Sequence, residues 1–160
     1  MLSLLKESKL FGECTDQELE KVAVACETNT AEAGETIFEA GTPAEHLYVV
    51  SEGSVELRFT VTHYNASQEI AIDRNFKGDV FGWSASAAAR TFTLSAVAVR
   101  NSKLLRINRS DIKRLCTESD HFGHVFMKNI ADIIGQRFIM VQQVLIEVTQ
   151  HYLKKQEPGG

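Results

Sequence analysis

Cysteine, proline and tryptophan are scarce in this chain. Its 160 residues hold three cysteines, two prolines and one tryptophan. Cys14, Cys26 and Cys116 are odd in number and form no C-x-x-C pair. Neither a disulfide framework nor a zinc knuckle is therefore indicated, and reduced, mostly buried thiols are expected. Long apolar runs are missing too, so no segment approaches the roughly 20 residues of a membrane span. The N-terminal MLSLLKESKLF lacks a basic region ahead of an apolar stretch and a small-residue cleavage site, the layout of a signal peptide. The expectation is a soluble cytoplasmic protein with no membrane partner. Basic charge is not in excess: 17 Lys and Arg face 21 Asp and Glu, a formal net charge of −4. Such a surface gives no general attraction to nucleic-acid phosphates.

Motifs of chemistry are also missing. There is no nucleophile elbow, Walker loop or paired-carboxylate motif, so no catalytic residue is assigned and no enzyme is expected. The five histidines are His46, His63, His121, His124 and His151. No H-x-H pair occurs, which argues against a metal-dependent jelly-roll enzyme of the cupin kind. His121 and His124 lie one helical turn apart without a Cys or carboxylate clearly joining them, so no metal site is assigned. Cys14 and Cys26 are too few for an iron–sulfur cluster.

What is present falls into three parts. Residues 1–28 read as helical. Leu2, Leu5, Leu10 and Phe11 form an apolar cluster, and Thr15-Asp16-Gln17-Glu18 has the capping-box pattern ahead of Leu19, Val22, Ala23 and Cys26 at helical spacing. Residues 30–108 read as strands and turns. Val55, Leu57, Phe59 and Val61 alternate with Glu56, Arg58, Thr60 and Thr62, the period of a strand with one buried face. Further strands are expected at Thr36–Phe38, Leu47–Ser51, Glu69–Asp73, Thr93–Val99 and Lys103–Ile107, with glycine-bearing turns between. Residues 110–156 return to helix. Ser110 can cap a short helix holding Ile112 and Leu115, and Ser119 or Asp120 can start a second. Its apolar residues, Met127, Ile130, Ile134, Phe138, Val141, Leu145, Val148 and Tyr152, step by three and four like a coiled-coil seam. At 1.5 Å per residue that helix is about 50 Å long, more than a small β-domain covers alone. Its distal half is expected to pair with a second copy. Pro158-Gly159-Gly160 is a tail with no fold implied.

The expected fold is mainly β with flanking helices: a double-stranded β-helix (jelly-roll), a short helix and a long C-terminal helix. Residues 1–119 form the β-roll with its N-terminal helices, and residues 120–157 the dimerisation helix.

Specific residues carry a resemblance. LFGECTDQELEKVA (Leu10–Ala23), AGETIFEAGTPAEHLYVVSEGSVEL (Ala33–Leu57) with Gly34, Gly41, Tyr48 and Gly53 in step, and KGDVFG (Lys77–Gly82) resemble the cyclic-nucleotide-binding domain of the CRP/FNR regulator family. The resemblance covers residues 10 to 140. It implies a phosphate-binding cassette after the G-D-x-F-G turn: a short helix offering backbone N–H groups to the cyclic phosphate, an arginine neutralising it, and a glutamate on the ribose. A helix N-terminus with an arginine fork is an anion site on physical grounds alone. By that resemblance the ligand-binding residues would be Phe81, Gly82, Trp83, Ser84, Arg90 and Thr91, with Ser86 a further phosphate donor and a short helix through Ala85–Ala89. The ligand would be a cyclic nucleotide, cAMP or cGMP; no other cofactor is implied.

The cassette departs from the family at two points. Trp83 stands where the family has its ribose-binding Glu, and an indole only donates. The interval from Phe81 to Arg90 is shorter than usual. Two functions follow: a sensing module for a nucleotide-like anion that signals through the C-terminal helix, or a ligand-free β-roll serving as a dimerisation or protein-interaction scaffold. The family's helix-turn-helix would follow the long helix and needs further helices. No such motif occurs in this chain, which is then a fragment of a regulator or acts on proteins.

Overall fold

The computed structural model describes residues 1–86 and 90–156. The helix expected through residue 89, the side chain of Ser86 and the tail at 158–160 lie outside the described residues.

Helices α1 (Leu2–Glu7) and α2 (Asp16–Ala25) lead the chain. The capping box forms as the sequence dictates: Thr15 Oγ1 accepts from the Glu18 amide, and the Glu18 carboxylate accepts from the Thr15 amide at 2.9 Å. The helical reading of 26–28 is corrected. Strand β1 runs Cys26–Ala31 and pairs antiparallel with β8, Cys26 opposite Ile107. Thr28 and Thr30 are β-branched and favour extended backbone, and the β8 edge supplies the partner that local sequence cannot reveal.

Two four-stranded antiparallel sheets make the roll. One has the order β1-β8-β3-β6, with β3 at His46–Glu52, β6 at Val80–Phe81 and β8 at Ser102–Asn108. The other has the order β2-β7-β4-β5, with β2 at Thr36–Phe38, β4 at Val55–His63, β5 at Ala66–Asn75 and β7 at Ser95–Ala98. Leu47 and Val49 on β3 join Leu105 and Ile107 in a core shared with the helices, while Tyr48 and Val50 face the interior of the roll. Both faces of β3 are buried, which is why LYVV is an unbroken apolar run instead of an alternation. The one-face alternation expected of β4 does not hold: Val55, Glu56 and Leu57 are all buried, the Glu56 carboxylate accepting from Arg58 and Arg74, while the hairpin beyond Arg58 projects into solvent and leaves Val61 exposed.

Helices α3 (Arg109–Glu118) and α4 (Asp120–Gln156) complete the chain. The cap of α3 is Asn108, not Ser110: its Oδ1 accepts from both the amide and the hydroxyl of Ser110, at 2.8 and 2.7 Å. Ser119 caps α4 by accepting from the Phe122 amide at 3.1 Å. The proximal part of α4 packs Phe122, Val125, Phe126 and Ile130 into the helical core, where Phe11, Phe122 and Phe126 meet ring to ring at 5.9–6.3 Å. Met127, first on the sequence seam, points outward. The helix then leaves the roll. Phe138, Leu145, Val148 and Tyr152 are each at least 60% exposed.

Candidate functional site

The site grows from the G-D-x-F-G turn. Asp79 accepts from the Phe76 amide through its carboxylate, and Gly78 donates to Val50 O, so the turn delivers β6 against β3 with Tyr48 opposite Phe81. Gly82 has φ +73°, a left-handed value that favours glycine. A Cβ there would lie 3.0 Å from Tyr48 Cδ2 and 3.1 Å from His46 O. The chain then enters a 3₁₀ turn, Trp83–Ser86.

The sequence-derived residues separate in space. Phe81 is fully buried in an aromatic stack with Tyr48 and Phe38, behind the site. Gly82, Trp83 and Ser84 come together with Phe92, Thr93 and Leu94 around a small cavity of about 30 Å³. Arg90 is exposed and borders none of the described cavities. Its carbonyl accepts from the Ala44 amide at 2.8 Å, and among the described residues its guanidinium has no hydrogen bond or ion pair. Thr91 is exposed and forms an isolated bridge with Pro43.

Trp83 forms the wall between this small cavity and a larger apolar cleft of about 280 Å³. The cleft lies between the roll, at Leu57, Ile72 and Leu94, and α4, at Ile134, Phe138 and Val141. The two hollows share Leu57, Trp83, Thr93, Leu94 and Arg137.

Arg137 is the residue that sequence reasoning missed. It comes from α4, is 19% exposed at the side chain, and reaches back onto the roll. Its Nη2 donates to Asn75 Oδ1 at 2.7 Å and Val80 O at 3.1 Å, and lies 2.9 Å from Asp73 Oδ2. Burial pushes its pKa below the usual guanidinium value, opposed by the charges of Asp73 and Asp79. An arginine stays protonated regardless, so this is the cation that faces both hollows. One signal was available. Arg137 is the single Lys or Arg between Lys128 and Lys154, set in an apolar helix whose other charges lie off the seam.

The cysteines are chemically quiet. Burial raises the Cys14 and Cys26 thiols to about 12 and raises Cys116 as well, which keeps them protonated at neutral pH. No helix among the described residues is long and apolar enough to cross a membrane.

The fold is a two-sheet antiparallel β-roll with a glycine turn opening into a hollow and a long helix beside it. The family model of the cyclic nucleotide-binding domain matches residues 28–119. The chain belongs to that family, as the sequence motifs implied. It is 28% identical over 113 residues to a cAMP-dependent protein kinase regulatory subunit of Aspergillus fumigatus, covering 71% of this chain and 26% of that protein. The chain thus spans about a quarter of the length of that curated relative. Among solved structures, the catabolite activator protein of Thermus thermophilus matches at TM-score 0.72 and 25% identity, covering 89% of this chain and 63% of that one. A cyclic nucleotide-binding domain from Methylobacillus flagellatus shares the fold at TM-score 0.76 and 17% identity, over 91% of this chain and 81% of its own.

Proposed function

We propose that this chain is a regulatory sensing domain whose ligand is a small nucleotide-like anion, cAMP or cGMP being the first candidates. One observation carries the reading: the hollows flanking Trp83 are walled on one side by the cassette turn and β-roll and on the other by α4. A ligand seated there touches the output helix directly. Its binding shifts α4 to the extent that it prefers one helix position over another. Gly82, Ser84 and Thr93 offer the polar rim, Arg137 a positive charge that is paired with Asp73 on the wall of the larger cleft, and Leu57, Ile72 and Leu94 an apolar seat for a base. The role is regulatory, not catalytic. The regulatory subunit and the catabolite activator protein that the chain resembles are consistent with it.

The division of labour follows. Residues 1–119 sense, and α4 transmits and pairs with α4 of a second copy through its exposed distal seam. The setting is cytoplasmic.

A second reading has its own support. The cassette hollow is small, about 30 Å³, and Arg90 stands in solvent. A roll that has lost its ligand and serves as a scaffold has these features. Calorimetric titration with cAMP and cGMP separates the two. The sensor gives saturable heat with at least one nucleotide, and Arg137→Ala or Arg90→Ala weakens it according to which guanidinium meets the phosphate. The scaffold gives none.

A further inference from the structure

Helix α4 is held to the rest of the molecule in two parts. Its first part rests on the helical core: Phe122, Val125, Phe126 and Ile130 are buried there, and Ile133 and Ile134 pack against the same cluster. Polar ties run the same way. Lys128 pairs with Glu13 at 2.9 Å, and Asn129 Nδ2 donates to Leu10 O at 3.0 Å. The second part rests on the roll. Arg137 donates to Asn75 and Val80 and pairs with Asp73 at 2.9 Å. Among the described residues it is the last side chain of α4 with a hydrogen bond or ion pair to the roll. Phe138 and Val141 follow it on the wall of the cleft beside Trp83.

Gly135 stands between the two parts, directly after Ile134 and two residues before Arg137. Glycine is the weakest helix former after proline, because its backbone loses the most freedom on ordering. The other glycine of α4 has a packing reason. A Cβ on Gly123 would lie 3.3 Å from Cys116 O, so α3 lies too close for a side chain to fit without a shift. A Cβ on Gly135 would meet nothing within 4 Å. No close approach calls for glycine there. The helix is weakened at the point where its support passes from the helical core to the roll.

We infer that α4 is jointed at Gly135, and that the Arg137–Asp73 pair is the latch holding its distal part against the roll. With the latch broken, the helix from residue 136 onward swings from the roll while residues 120–134 stay in the helical core. Phe138 and Val141 leave with the distal part, and the cleft beside Trp83 opens. The joint needs no ligand; its use as the entrance to the ligand seat rests on the sensing function proposed above.

The test uses the full chain without ligand, at one protein concentration. Asp73→Asn weakens the latch with little change of shape, and Gly135→Ala stiffens the joint in open space. Two signals are read: amide hydrogen exchange along α4, and acrylamide quenching of Trp83, the single tryptophan. In Asp73→Asn the amides of residues 138–145 should exchange about fivefold faster, those of 122–134 should be unchanged, and quenching of Trp83 should rise. Adding Gly135→Ala should take back most of the quenching gain. A rod without a joint behaves otherwise: exchange rises along the whole of α4 together, or the quenching gain persists with Gly135→Ala. Either result overturns the inference, as does Asp73→Asn with both signals unmoved. A nucleotide titration that fails removes only the entrance and leaves the joint standing.

Discussion

Arg137 meets three acceptors through one nitrogen: a carboxylate, a carboxamide and a backbone carbonyl. Removing it leaves Asp73, Asn75 and Val80 with unmet acceptors in a largely buried place. Arg137→Met is expected to cost about 2 kcal/mol, read as a lowered midpoint in urea unfolding at unchanged slope. Gly82 is the second residue on which the site's shape depends. Gly82→Ala combines a left-handed φ with a close approach to Tyr48 and His46 O, and is expected to cost about 2 kcal/mol or more by the same measurement. The motif glycines and Trp83 were legible in the sequence because turn chemistry is local. Arg137 was not, because its partners lie 57 to 64 residues earlier in the chain. Nor does a sequence tell whether Arg90 faces a hollow or solvent, since that depends on how residues 90–92 run along the Gly41–Ala44 turn.

At the scale of elements, the joint between α2 and α4 turns on Glu18. Burial alone would raise its pKa. Hydrogen bonds from Ser119 Oγ at 2.7 Å, the Thr15 amide, His121 and the Thr15 hydroxyl outweigh burial and hold it at about 2, against an ordinary 4.5. A depressed carboxylate stabilises the fold above its unfolded pKa, and that contribution is lost as pH falls through the folded one. The stability difference between the native chain and Glu18→Gln should therefore be full at pH 7 and shrink from about pH 4.5 downward. A difference constant from pH 7 to pH 3 in chemical denaturation would contradict this role. Legibility differs among the elements. The strands with an alternating or apolar pattern, such as β3 and β4, were readable. β1 and β6 were not: β1 is polar and gains its extended form from β8, and β6 is two residues long. The capping box was readable because its partners sit three residues apart.

For the whole molecule, α4 is the element that outgrows its own domain. Its 37 residues span about 55 Å, and its apolar residues beyond Ile134 are largely uncovered. The proposed dimer would bury them, and Leu145→Glu is expected to shift the sedimenting species from dimer to monomer with the roll intact. A native chain that sediments as a monomer at high concentration would remove the dimer from the account. The layout of helices, roll and long helix was legible as a whole because glycine spacing, alternation and the seam agree with one another. How the helix lies against the roll was not, since it depends on Arg137 reaching Asp73, Asn75 and Val80 across the chain. The central proposal, a ligand seat shared by roll and helix, has a built-in reporter. Trp83 is the single tryptophan of the chain and lines both hollows. Titration with cAMP and cGMP should change its fluorescence saturably with at least one nucleotide; an indole signal unmoved by either, in a folded chain, would contradict it.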